Sequence, residues 1–390
     1  MDEQTIGRTP EKPLLVHAIP ALTGGGAERE VARVCRVLSE KSPFRVIVCC
    51  LWEGGVFVDD VRKAGVEVEI LFPRKRSSIL TAWQFLRWLR CRKPAIVHMH
   101  LIRWGPIVAR LAGVPGIIVT VHNWWPNPKT HVVVPERVSL YFADKIVAVA
   151  DLVKRQLLEI WHTPVSKTMT ILPSIEPQER MSPEQQAAKR ADLGIPPDAP
   201  IICNIGRLVE QKAQKYFIEA AAHVLKSRSD CRFLIIGEGD LHEELDRQII
   251  ASELEDRVFL MGFRDDVRQI LQVANLMCLS SDWEGTPMAM LEAMALSKPV
   301  VATAVGGCPM IVRNGKTGFI VPPCNPSALA DAMLKIINDP EFAERLGNSA
   351  LELLQAEYSA ERNLAQYREL YVSIMKHKGL ENTSNLWRLD

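Results

Sequence analysis

The sequence predicts an α/β protein of two Rossmann-like, doubly wound parallel-sheet domains, and three observations lead there. Short apolar runs alternate with longer periodic stretches along nearly the whole chain, the pattern of strands joined by crossover helices. A polar, proline-rich connection running through Pro173, Pro177 and Pro183 to Pro200 divides that alternation into two series. The length, 390 residues, is room for two domains of ordinary size.

The first series opens on Leu14–Ile19, an apolar strand. Thr23-Gly24-Gly25-Gly26-Ala27-Glu28-Arg29 follows and leads into a periodic helix to about Ser39. Strand, glycine loop and helix open a doubly wound domain, and the glycines let backbone approach a phosphate or sugar closely. The full G-x-G-x-x-G pattern of a dinucleotide site is not met. Phe44–Leu51 and Val66–Leu71 read as strands, Ile79–Arg92 as a helix, Ala95–His100 as a strand and Trp104–Leu111 as a helix. Gly116–His122 and Lys145–Ala150 are further strands, and Asp151–Trp161 is a helix. His100 and His122 both close strands at the carboxyl edge, where parallel sheets bind ligands.

The second series begins with Ile201–Ile205, a strand leading into Gly206-Arg207-Leu208-Val209-Glu210-Gln211-Lys212. Phe233–Ile236 leads into Gly237-Glu238-Gly239, and Val258–Met261 into Gly262-Phe263-Arg264. Asn275–Leu279 leads into the stretch Ser280–Gly307, which reads as loop, helix, strand and glycine turn. Phe319–Val321 is a last short strand, and helices near Pro326–Asn338 and Glu341–Glu357 close the series. A final amphipathic helix, about Ala360–Lys376, could reach back to the first domain. The expected boundaries are 13–176, 177–358 and 359–378.

Composition narrows the class. Hydrophobic residues make up 47% and charged residues 24%, which suits a globular core and excludes a disordered chain. Through Glu176 there are 24 Lys and Arg against 16 Asp and Glu, and beyond it 23 against 30. A basic first half and an acidic second half suggest different partners for each. The nine cysteines form no C-x-x-C pair or Cys/His metal spacing, and several sit in apolar runs, as reduced core residues do. The polar first ten residues do not read as a signal peptide, and the longest apolar region, Gly105–Val121, is broken by Pro106, Arg110 and Pro115. A cytoplasmic protein is expected, with peripheral placement on the inner membrane face left open. No nucleic-acid partner and no metal are expected.

Within Ser280–Gly307, Thr286 followed by Pro287 reads as a helix start, with Thr286 as cap and Pro287 in the first helical position. The free amides near Met288 and Ala289 would then face an anion. Glu284 stands in the loop before the helix and Glu292 about a turn and a half inside it. Two carboxylates, good acceptors for hydroxyls, thus flank a phosphate-sized positive spot, which suits a nucleotide sugar. Arg207 and Lys212, across one loop at the same sheet edge, can neutralise its diphosphate.

These motifs resemble the retaining glycosyltransferases of family four, which have the glycosyltransferase B fold. The matching pieces are Gly206-Arg207-Leu208 with Gln211-Lys212, Gly237-Glu238-Gly239, Glu284-Gly285-x-Pro287 running to Glu292-Ala293-Met294-Ala295, Pro299 to Thr303 with Gly306-Gly307, and Asn314-Gly315-x-x-Gly318. The first half matches more loosely, through Gly24 to Arg29, His98-x-His100 and His122-Asn123. Two positions depart from the family pattern: Met310 stands where a Glu is usual, and Ser174-Ile175-Glu176 where Asn-Gly-Ile-Asp is usual.

The resemblance implies two domains facing across a cleft, the first binding the acceptor and the second the nucleotide sugar. It implies Arg207 and Lys212 on the donor diphosphate, Glu284 on hydroxyls of the transferred sugar and Glu292 on the ribose diol. Gly206, Gly237, Gly285, Thr286, Pro287 and Met288 complete the expected donor site, with Phe263 and Arg264 beside the base. Gly24, Gly25 and Gly26 would close over the donor, and His122 would lie near the sugar and the acceptor. The reading is a metal-independent, retaining hexosyltransferase without cofactor, using a nucleotide diphosphate sugar, UDP-linked by preference. The departing phosphate oxygen would take the acceptor proton, with a covalent intermediate on Glu284 as the competing mechanism. Alternatives are an epimerase or phosphorylase on the same fold, or a non-catalytic sensor of sugar nucleotides.

Residues 74–93 hold Arg74, Lys75, Arg76, Arg87, Arg90, Arg92 and Lys93 and no acids, interleaved with Ile79, Leu80, Trp83, Phe85, Leu86, Trp88 and Leu89. A basic helix with a broad apolar face suits an anionic membrane surface, to which Trp124-Trp125 could add. The core-helix alternative stays open. Membrane contact would fit a glycan or lipid-linked acceptor in surface polysaccharide or glycolipid synthesis. The oligomeric state is not legible.

Overall fold

A computed structural model describes residues 12–23, 25–74, 77–125, 128–175 and 179–380. Gly24, Lys75, Arg76 and the expected domain boundary at 176–177 lie outside the described residues. The chain forms two compact units: Met1–His122 with Asn127–Ile171 and Asn363–Asp390, and Asn123–Pro126 with Leu172–Arg362.

The first unit is built on seven strands: β1 (Leu14–Ile19), β2 (Arg45–Cys50), β3 (Glu67–Ile70), β4 (Ile96–His100), β5 (Gly116–Val121), β6 (Lys145–Ala148) and β7 (Thr168–Thr170). Every pairing is parallel, in the order β3-β2-β1-β4-β5-β6-β7. The order reverses between β1 and β4, so the loops leaving those strands diverge and open a crevice at their carboxyl ends. Helices α1 (Gly26–Lys41), α2 (Val58–Lys63), α3 (Ser78–Arg92), α4 (Gly105–Leu111), α5 (Thr130–Tyr141) and α6 (Asp151–Glu159) make the crossovers.

The second unit holds α7 (Pro183–Asp192), β8 (Ile201–Ile205), α8 (Gln214–Leu225), β9 (Arg232–Ile236), α9 (His242–Ala251), β10 (Val258–Leu260), α10 (Val267–Val273) and β11 (Leu276–Leu279). It continues with α11 (Met288–Ala295), β12 (Val300–Thr303), α12 (Cys308–Ile311), β13 (Gly318–Val321), α13 (Pro326–Ile337) and α14 (Pro340–Glu357). Its parallel sheet runs β10-β9-β8-β11-β12-β13, with the reversal between β8 and β11. The central strands of both sheets are buried on both faces, which is why they read as continuous apolar runs, whereas the edge strand β3, Glu-Val-Glu-Ile, alternates.

The last helix, α15 (Ala360–His377), carries the chain back to the first unit from Asn363 onward. Tyr367, Leu370, Tyr371, Ile374 and Met375 are all buried in that unit's core. Burial of Leu370, Ile374 and Met375 stabilises by roughly 1.5–3 kcal/mol each.

Several elements differ from expectation. The connection before Pro200 is not all loop: Ser182 caps α7 in a reciprocal capping box with Gln185, and Pro183 sits in the helix's first turn. The proline that marked a linker is a helix start. Helix α5 forms despite a β-branched run and Pro135 in its interior, with Glu136, Ser139 and Leu140 buried. Packing there overrides weak intrinsic propensity.

Candidate active site

The loops after β8 and β11 meet at the reversal point of the second sheet. Asn204, near the end of β8, is buried and donates through Nδ2 to the Cys278 carbonyl and to Ser280 Oγ. Ser280 in turn donates to the Lys212 carbonyl at 3.1 Å. The Asp282 amide donates to the Gln211 carbonyl at 2.9 Å, and Gln211 Nε2 to the Trp283 carbonyl at 3.0 Å. These bonds lock the Arg207–Lys212 loop against the Ser280–Gly285 loop before any ligand is considered.

Their result is a short ion pair. Lys212 Nζ lies 2.6 Å from Glu284 Oε1, and Ser281 Oγ donates to the same oxygen at 2.6 Å. Glu284 is 4% exposed and Ser281 is fully buried. The second carboxylate oxygen of Glu284 has no hydrogen-bond partner among the described residues, which leaves it as an acceptor. Glu292, on α11, is buried as well. Arg207 is exposed at the mouth of the same loop system.

Two glycines let the loops approach this closely. Gly306 has φ of 53°, and an added Cβ would overlap the carbonyl oxygen of Glu284. Gly237 has φ of 143°, and a Cβ there would overlap the carbonyl oxygen of Gly206. Both positions require a conformation that L side chains avoid as well as the missing atom. Gly307 donates its amide to the Gly285 carbonyl at 2.9 Å, closing the second side of the Glu284 loop.

The helix start differs by one position from expectation. Pro287 is the N-cap of α11, not its first helical residue, and Thr286 precedes the cap rather than serving as it. The amides of Met288 and Ala289 still head the helix without intrahelical acceptors. Phe263, 56% exposed, offers an open ring, and its amide donates to Glu238 Oε1 at 3.3 Å. Arg264 is bidentate to Asp266, at 2.8 and 2.6 Å, and that pairing holds the Asp266 pKa down at about 2. Of the two residues expected beside a base, Phe263 has the freer side chain.

In the first unit Gly25 caps α1 and Gly26 is its first residue, while Gly24 lies outside the described residues. His122 follows β5, and its Nε2 is 3.0 Å from His100 Nδ1. Met310 is on α12 and partly exposed. The expected basic apolar helix divides: Phe85 and Leu89 of α3 are buried, Trp88 Nε1 donates to Glu69 at 2.8 Å, and Ile79, Leu80 and Trp83 are exposed. Arg92 pairs with Glu69 and Glu67, so part of the helix's charge is matched within the unit.

Sequence reasoning gave Ser281 and Asn204 no role. Ser281 lay within the highlighted stretch, yet only the loop geometry reveals its bond to Glu284. A buried cluster of His17, His98 and His100, with one ring nitrogen from each lying within 4.8 Å of the others, was also missed, because the members come from two strands. A histidine inside the apolar run Leu14–Ile19 was the available signal.

Comparison with known proteins bears on this geometry. Residues 24–179 match the family model Glycosyltransferase Family 4, and residues 185–353 match Glycosyl transferases group 1. The chain is 28% identical over 305 residues to alpha-D-kanosaminyltransferase of Streptomyces kanamyceticus, covering 73% of this chain and 78% of that one. It is 25% identical over 313 residues to an Escherichia coli UDP-Gal:alpha-D-GlcNAc-diphosphoundecaprenol alpha-1,3-galactosyltransferase, covering 74% and 78%. Among solved structures, Anabaena HepE in complex with UDP-glucose superposes with a TM-score of 0.82 at 20% identity, over 92% of this chain and all of that one. Sucrose-phosphate synthase from Thermosynechococcus elongatus gives 0.79 at 20% identity, over 93% and 100%. At those identities the structures speak for the fold alone, and that fold is the glycosyltransferase B type. With consecutive family models spanning both series of strands and the paired Lys212 and Glu284 at the second sheet's reversal point, the chain belongs to the group 1 glycosyltransferases.

Proposed function

We propose that the protein is a retaining, metal-independent glycosyltransferase that moves a sugar from a UDP-sugar to a glycan or lipid-linked acceptor in surface polysaccharide or glycolipid synthesis. The observation that carries the reading is the Lys212–Glu284 pair, 2.6 Å apart with Glu292 buried on the following helix. In a sugar phosphate the anionic oxygens and the sugar hydroxyls lie a few bonds apart, so a cation and a hydroxyl acceptor must be held close together. Lys212 and the exposed Arg207 would take the diphosphate, the free oxygen of Glu284 the sugar hydroxyls, and Glu292 the ribose.

Breaking the anomeric C–O bond puts negative charge on the diphosphate and positive character on the ring. Arg207, Lys212 and the α11 amides stabilise the former, each such group being worth roughly 3 kcal/mol. The departing phosphate oxygen then takes the acceptor proton on the face it leaves, and the new bond forms there with retention. Glu284 serves as hydroxyl acceptor rather than nucleophile, since two hydrogen bonds converge on its Oε1 and tie it to Lys212 and Ser281. HepE with UDP-glucose and the UDP-Gal-dependent relative support the choice of UDP.

For the acceptor, we infer peripheral contact with an anionic membrane through residues 74–93. The support is the exposed set Ile79, Leu80 and Trp83, with Arg87 stacked on the Trp83 ring at 4.7 Å. No described helix is long and apolar enough to cross a membrane. The test is to incubate the protein with a panel of nucleotide sugars and follow slow donor hydrolysis by proton NMR. Release of UDP with a sugar of unchanged anomeric configuration is expected. Binding without turnover would make the protein a sensor, and a new epimer of the donor would make it an epimerase.

A further inference from the structure

His122 does not stand alone: it ends a continuous file of hydrogen-bonded side chains that crosses the first sheet. His122 Nε2 is 3.0 Å from His100 Nδ1, and His100 Nε2 is 3.1 Å from His17 Nδ1. His17 Nε2 is 3.2 Å from the Tyr371 hydroxyl, which is 2.8 Å from His98 Nδ1. His98 Nε2 is 2.7 Å from Thr120 Oγ1, which bonds Tyr367 in turn. The residues come from β1, β4, β5, the position just after β5, and α15, and parallel register sets the strand members side by side, with His17 opposite His98 and His100 opposite Thr120. His17, His98, His100, Thr120, Tyr367 and Tyr371 are all buried.

The file admits few proton arrangements. A neutral imidazole has one donor nitrogen and one acceptor nitrogen, and a phenol has one proton. Each junction needs one donor and one acceptor, and when the Tyr371 proton is also used within the file, the file runs all one way or all the other. In one direction all four histidines carry the proton on Nε2, and in the other all four carry it on Nδ1. Changing His122, His100 or His17 alone would set two donors or two acceptors face to face, and changing His98 alone would leave the buried Tyr371 proton without an acceptor in the file; either is costly. Free imidazole side chains favour the Nε2–H form, so four rings together favour the first direction. The Nδ1 of His122, which has no partner among the described residues, is then a lone-pair acceptor.

We propose that His17, His98, His100 and Tyr371 are positioning residues that fix the tautomer of His122, so that its Nδ1 is presented as a hydrogen-bond acceptor for a ligand hydroxyl. The consequence for transfer rests on the reading of His122 as a site residue, but the proton order itself does not. The file also ties the carboxyl end of β5 to the C-terminal helix, so that the Tyr371 hydroxyl acts on a ring it does not touch. The burial that lowers the pKa of all four histidines keeps the file uncharged near neutrality.

The test needs no substrate. In the full chain labelled with 15N-histidine, two-bond proton–nitrogen correlation spectra at neutral pH distinguish the Nε2–H and Nδ1–H forms. His17, His98, His100 and His122 are all expected as Nε2–H, assigned by single His→Gln variants. An Nδ1–H signal or a tautomer mixture for His122 overturns the proposal, as does a stoichiometric metal ion in the purified protein on the His17, His98 and His100 nitrogens. Tyr371→Phe removes one hydroxyl and keeps the ring. It is expected to shift the His122 nitrogens and to lower kcat up to about tenfold with donor KM unchanged. A His122 signal that stays put while His17 and His98 shift overturns the coupling. An ordered file in a protein without transferase activity would overturn the proposed function and leave the proton order standing.

Discussion

Mild acid should unfold the first unit before the second. His17 is fully buried, and loss of solvation lowers its pKa from 6.5 to about 3. Burial also lowers His122 to about 4 and brings His98 and His100 well below the usual histidine range. The folded unit therefore binds fewer protons than the unfolded chain below pH 6.5. The contribution of these groups is complete above that value and is lost as the pH falls from it toward the folded pKa. At pH 5 an unfolded histidine is almost fully protonated and His17 is not, a difference of roughly 2 kcal/mol. His98, His100 and His122 act in the same direction, and Glu136, its pKa raised by burial, opposes them. A unit of this size loses roughly 2–4 °C in Tm per kcal/mol, so His17 alone lowers the midpoint by roughly 4–8 °C between pH 7 and pH 5. In the second unit Asp266 has a lowered pKa, so its contribution is lost only as the pH falls below 3.8 toward about 2, outside that window. Scanning calorimetry at pH 7, 6 and 5 measures the midpoints, and hydrogen exchange by mass spectrometry assigns each transition to a unit. A first-unit midpoint that does not move would refute neutral burial of the histidines.

Other perturbations test the second unit and the membrane reading. Glu284→Gln leaves the Lys212 ammonium half-enclosed without its counter-ion. A loss toward the lower end of about 3–5 kcal/mol is expected by urea unfolding, together with loss of donor turnover, and an unchanged unfolding midpoint would contradict the pairing. Gly306→Ala forces a side chain into φ of 53° against the Glu284 carbonyl. Destabilisation of roughly 1–3 kcal/mol and a displaced Glu284 are expected, read as a lower Tm and weaker donor binding, and a variant with normal values for both would show that the loop has room. Vesicles rich in anionic lipid should sediment the wild-type chain at low salt, and Trp83→Ser with Arg87→Ser should abolish this. Wild-type protein that stays in the supernatant removes the membrane proposal.

Much of the second unit was legible because its signals are local. Strands β8, β9 and β10 are apolar runs that lead into Gly206, Gly237 and Gly262, and Glu284, Pro287 and Glu292 lie within one short stretch. Arg207 and Lys212 fall on a single loop, so their meeting with that stretch needed only the parallel order of the sheet. What escaped depends on distant partners. His17, His98 and Tyr371 are separated by most of the chain, and nothing in their local spacing announces a file of hydrogen bonds. Helix α5 was hidden by Pro135 and its β-branched neighbours, since local propensity opposes what packing of Leu140 and Ser139 achieves. Helix α7 shows the reverse, a start signal in Ser182, Pro183 and Gln185 masked by reading proline as linker.

The central claim is that the cations after β8 act on the diphosphate of a sugar nucleotide. Its most direct test is UDP release from the preferred UDP-sugar by the wild-type protein beside Arg207→Ala and Lys212→Ala, each checked for an intact fold. Loss of one cation should lower the rate by about two decades or more, in line with roughly 3 kcal/mol for a group aimed at developing charge. Near-normal turnover in a folded Lys212→Ala protein would contradict the account.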